Sequence, residues 1–109
     1  MPDYTLITDL GRQLTDIPAE SIISRTLFTN QQLKVVLFGF AAGQELSEHT
    51  AARPALLQIV QGEATLKLGT DTFKVSTGAW VHMPAHLPHS LFAQTPLLMV
   101  LTLLPLEGS

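Results

Sequence analysis

Three of the four histidines, His82, His86 and His89, fall within eight residues of the stretch GAWVHMPAHLPHSLFA (78–93), and the fourth, His49, lies forty positions before the last of them. An imidazole can bind a divalent transition metal, shuttle a proton, or orient a small molecule through a hydrogen bond. His86 is either a turn residue or a metal ligand, since it stands three from His89 across a turn, a spacing that can converge on one ion. The chain has no cysteine, which excludes disulfides and thiolate metal sites. No hydroxyl with a partnered base stands out, so covalent catalysis has no support.

Other polar residues have two readings each. Gln58 interrupts the apolar run ALLQIV; a buried amide needs partners, so it either contacts a ligand or faces solvent. Glu45 and Glu48 flank His49 and are either a replacement ligand or base, or solvated loop charges. Arg53, before Pro54, is a surface charge unless it approaches an anionic ligand. His82 shares a strand face with Trp80, and the sequence does not say which face looks inward.

Strands must position these groups. IISRTLF (22–28) and LKVVLFGF (33–40) flank the polar TNQQ, a hairpin signal. A helix opened by Asp16, Pro18 and Glu20 and running to Leu27 is the competing reading of the first of them. QELSEHTAARP (44–54) reads as a polar connection. Strands follow over 55–61, 63–69, 72–76, 79–84 and 90–93, the second alternating with Leu66 and Leu68 on one face. PLLMVLTLL (96–104) is almost continuously apolar, as in a strand covered on both faces. Some eight short strands with regular turn signals imply an all-β sandwich or barrel, with residues 1–20 as an N-terminal segment and 21–109 as a single domain. Trp80, Phe38, Phe40, Phe73 and Phe92 are expected in the core.

Composition narrows the function. Apolar residues make up 46% and charged residues 14% of the chain, with a net charge of −3. The six lysines and arginines are scattered, so nucleic acid finds no basic patch. The start MPDYTLITDL lacks the pattern of a signal peptide, and the longest apolar run, Leu97 to Leu106, is about half of the roughly twenty residues a spanning helix needs. A cytoplasmic protein without membrane or nucleic-acid partners is expected. So little charge on a small domain also suggests that apolar surface is covered in a homodimer, with the C-terminal strand as the face.

Two stretches resemble the paired motifs of the cupin family, over roughly residues 20–104. The first motif places glycine, histidine, histidine, glutamate and glycine where this chain has Gly43, His49, Ala51, Ala55 and Gly62. The second places glycine, proline, glycine, histidine and asparagine where it has Gly78, Pro84, His86, His89 and Ala93. Six positions keep the family residue. The resemblance implies a jelly-roll β-barrel of two antiparallel sheets, with His49 and His89 projecting into it from adjacent strands. It also implies a metal site that has lost two of its four ligands, because an alanine methyl coordinates nothing. The expected function is therefore a binder of a small, largely apolar molecule, the ligand contacts being His49, Gln58 and His89, with at most an incomplete site for a divalent transition metal. Losing those two side chains should widen the cavity by on the order of a hundred Å³. The alternative is a metal-dependent enzyme of dioxygenase or isomerase type, using His49, His86 and His89.

Overall fold

A computed structural model describes residues 3–106. Among the described residues nine strands follow a single 3-10 turn at Leu10–Arg12. They are β1 (Ile22–Thr29), β2 (Lys34–Phe40), β3 (Glu45–His49), β4 (Ala55–Gln61), β5 (Glu63–Leu68), β6 (Asp71–Ser76), β7 (Trp80–Met83), β8 (His89–Ala93) and β9 (Leu97–Leu103). Five form one antiparallel sheet in the order β1-β2-β9-β4-β7, and four form the other in the order β3-β8-β5-β6. This is the jelly-roll arrangement expected from the sequence.

The helix alternative for the first element fails: β1 pairs with β2 along its length, Ile22 opposite Phe40 and Thr29 opposite Lys34. One strand was hidden. The stretch expected to be a polar connection contains β3, whose burial is so low that its alternation carries no apolar signal.

Side-chain alternation fills the space between the sheets. Phe40, Leu57, Ile59, Leu66, Leu91 and Met99 point inward and are almost wholly buried; each such side chain contributes about 1.5–3 kcal/mol. β9 is covered on both faces, as its composition requires. Leu97 and Met99 enter this core, while Leu98 and Val100 face the other way. There Leu10, Leu14 and Ile17 of the N-terminal segment cover them together with Leu37. Gly39 permits this approach: a Cβ there would lie 2.9 Å from Ile17 Cδ1. The C-terminal strand is thus a central strand, and much of its outer face is already buried within the chain.

Three aromatic expectations are corrected. Phe92 lies between the inward Leu91 and Ala93 of β8 and so is half-buried outside the core. Val81 and Met83 face the core, so Trp80 on the alternate face is 61% exposed. Phe73 lies on the edge strand β6, where no further strand flanks it, and is 49% exposed.

Candidate functional site

A β-bulge builds the centre of the site. In the β3–β8 pair, Leu46 lies opposite Leu91 and His49 opposite His89. Three steps along β3 therefore match two along β8, one residue more than a regular ladder allows. Leu46 packs on the core and Leu91 is buried, which fixes the inward face of both strands. Regular alternation from Leu46 would turn Glu48 inward and His49 outward. The extra residue reverses that parity and aims His49 to the same side as His89. The ring centroids stand 4.1 Å apart at an interplanar angle of 60°.

Both rings are oriented in the same way. His49 Nδ1 lies 2.9 Å from the Ser47 carbonyl oxygen, and His89 Nδ1 lies 2.9 Å from that of Leu87. A carbonyl only accepts, so each Nδ1 carries the hydrogen and donates it. Each Nε2 is left as a lone-pair acceptor on a ring that its own backbone holds in place. His49 is exposed and His89 half-buried, which puts the pair at the mouth of the barrel.

Behind the pair lies a cavity with about 50 Å³ open to the centre of a water molecule. Its wall includes Ala51, Ala55, Met83, Leu101 and Leu103, so both alanines at the lost ligand positions face the same space as the histidines. The cavity is smaller than the expected widening. Met83, Leu101 and Leu103 occupy its wall, and the room that remains suits a few waters or an acetate-sized group.

Arg53 also lines this space. Its Nε donates to the Leu104 carbonyl at 2.6 Å and its Nη2 to that of Leu103 at 3.2 Å, in a partly buried setting. These bonds pin the guanidinium to the chain just after β9. Among the described residues Arg53 brings the only formal charge to the cavity wall, and no carboxylate lines it. The sequence offered Arg53 only as a surface charge with an anionic alternative; its position in the wall depends on where β9 ends.

The remaining candidates lie elsewhere. Gln58 is exposed on the outer face of β4, opposite Trp80 and Val100, and does not share the cavity. His82 is exposed beside Trp80 on that outer face. Glu48 Oε1 lies 3.8 Å from Lys67 Nζ in an exposed pair, an arrangement that contributes little. His86 is exposed, does not line the cavity, and has φ 68°, the left-handed region. Its N–H donates to the Ala51 carbonyl at 2.7 Å and ties the β7–β8 turn to the β3–β4 loop. His86 thus performs the backbone duty of the glycine that the cupin motif has there.

The residues present do not complete a protein-only metal centre. Among the described residues no three His, Asp or Glu side chains form a group able to hold an ion, whereas such centres supply three or four ligands.

A conserved protein of unknown function from Streptococcus pyogenes superposes with a TM-score of 0.83 at 29% identity, over 98% of this chain and 93% of that one. A cupin superfamily protein from Desulfitobacterium hafniense gives 0.83 at 22% identity, over 95% and 94%. The chain has the cupin fold. An RmlC-like cupin from Shewanella frigidimarina agrees, at a TM-score of 0.77 and 21% identity over 95% of each chain. No family model matches the sequence, and no curated protein does. Among the described residues of this cupin barrel no helix is long and apolar enough to cross a membrane.

Proposed function

We propose that this cupin binds a small polar molecule at the mouth of its barrel, with His49 and His89 as the orienting contacts. One observation carries the reading. Both Nδ1 atoms are committed to backbone carbonyls at 2.9 Å, so two fixed Nε2 acceptors stand side by side at the cavity. Fixed acceptors beside an apolar wall are the ordinary makings of a small-molecule site. The small cavity takes one functional group, and the rest of the ligand extends outward past the exposed His49. Native mass spectrometry of protein purified under mild conditions tests this. A small molecule bound to the parent protein and absent from a His49→Ala, His89→Ala double variant is expected. Equal retention by the two proteins rules the site out.

A second reading is a metal-dependent enzyme in which His49 and His89 hold a divalent transition metal and the ligand completes its coordination. The Nδ1–H to carbonyl bonds favour it, because they are the contacts that orient metal-binding histidines. Elemental analysis after purification without chelator distinguishes the readings. About one ion per chain, lost in the double variant, would replace the first reading with the second. We also propose a homodimer, on composition alone; light scattering gives the mass that decides it.

A further inference from the structure

We infer that the ligand class is a small hydroxycarboxylate, with its carboxylate on Arg53 and its hydroxyl on the histidine pair. The inference rests on the small-molecule reading above and names what the site selects. The cavity wall combines two kinds of group. Arg53 is a donor with a permanent positive charge. Of its five N–H hydrogens, Nε–H and one on Nη2 are used by the Leu104 and Leu103 carbonyls, which leaves three. His49 and His89 give their Nδ1 hydrogens to carbonyls, so in the neutral ring it is Nε2 that accepts. No acidic side chain among the described residues lines the cavity to satisfy the guanidinium, and the rest of the wall is alanine, proline, leucine and methionine.

A charge held against an apolar wall, with no counter-ion among the described residues, favours an anion, because water has been partly removed from both. A carboxylate answers that charge but offers nothing to a lone pair. An alcohol answers the lone pairs but not the charge. A molecule with both groups on neighbouring carbons matches a cavity of about 50 Å³ shared by all three side chains. Arg53 also borders a larger outer depression of about 400 Å³ beside Asn30 and Gln32, into which a longer tail can run.

The test is an NMR titration of the intact protein at constant ionic strength, following the imidazole signals of His49 and His89 and the Nε–H signal of Arg53. Three probes are compared: glycolate, which carries both groups; glycolamide, which lacks the charge; and acetate, which lacks the hydroxyl. Glycolate is expected to shift all three signals saturably in the millimolar range, with each other probe weaker by roughly tenfold or more. In Arg53→Gln the preference of glycolate over glycolamide is expected to vanish while the histidine signals still respond. The comparison of probes on the parent protein stands even where that variant fails to fold. Equal response to glycolamide and glycolate overturns the charge assignment and leaves the broader binding reading intact. Equal response to acetate overturns the hydroxyl assignment. No shift with any probe at tens of millimolar overturns the inference, and the broader reading then stands or falls by its own co-purification test.

Discussion

Restoring the two missing ligands is the most direct test of how the cavity is built. Ala51 and Ala55 occupy the positions where the cupin motif has histidine and glutamate, and both line the cavity with His49 and His89. An Ala51→His, Ala55→Glu double variant should therefore assemble a site of three imidazoles and one carboxylate. Two larger side chains must share a wall already occupied by Met83 and Leu103, one of which has to shift. Overpacking of this kind costs about 1–3 kcal/mol. At about 4 °C per kcal/mol for a chain of this length, the metal-free variant should melt about 4–12 °C below the parent. An ion present at a thousand times its dissociation constant returns about 4 kcal/mol, so the loaded variant should melt at or above the parent. The assay is thermal unfolding with chelator and with excess zinc, beside elemental analysis of desalted protein. A folded variant that holds no stoichiometric ion and gains no stability from zinc would refute the convergence of these four positions.

Three further outcomes follow from particular residues. His86→Gly should raise stability by about 0.5–1 kcal/mol, because release of left-handed strain exceeds glycine's entropic cost; a loss on denaturant unfolding would mean the imidazole makes a stabilising contact. Deleting Ser47 removes the extra residue of the bulge, so two steps along β3 then match two along β8 and His49 should stay on the inward face opposite His89 in a regular ladder. The nuclear Overhauser contact expected between the His49 and His89 rings should then persist, and its disappearance would contradict the parity argument. Gly39→Val should cost about 1–3 kcal/mol by pushing Ile17 off the sheet; hydrogen exchange at residues 10–17 should quicken, and unchanged protection there would show that the segment is held by other contacts.

Much of the fold was legible in the sequence because most strands obey one rule. β5 alternates visibly, β9 is apolar on both sides because it is central, and β1 and β2 flank a polar turn. β3 broke the rule twice over. Its residues are largely exposed, and its bulge disrupts the alternation that would have revealed it. Trp80 misled for a related reason: size suggests burial, but Val81 and Met83 had already claimed the inward face of β7. At the site, the motif spacing located His49 and His89, while the physical means of bringing them together lay in a pairing irregularity. The sequence leaves His86 open as a turn residue or a ligand, and what the turn uses is its backbone at φ 68°. Gln58 is one residue out of phase with the inward row Ala55, Leu57 and Ile59, a parity that the strand's burial makes plain.

Irregular backbone and exceptional side-chain placement coincide at this end of the barrel. The bulge aims His49, the left-handed His86 ties its turn to Ala51, and Arg53 is clamped to two carbonyls after β9. All three lie on the loops and strand ends around the pocket. Departures from local preference cost free energy and persist where surrounding structure or function maintains them. A barrel that needed only to fold could carry a regular β3, a glycine at position 86 and a solvent-facing Arg53. This one carries none of the three, and each departure either places a polar group at the pocket or fixes a loop beside it. That concentration is a stronger reason to look for a ligand here than the histidine count, since His82 adds to the count and stands on the opposite face.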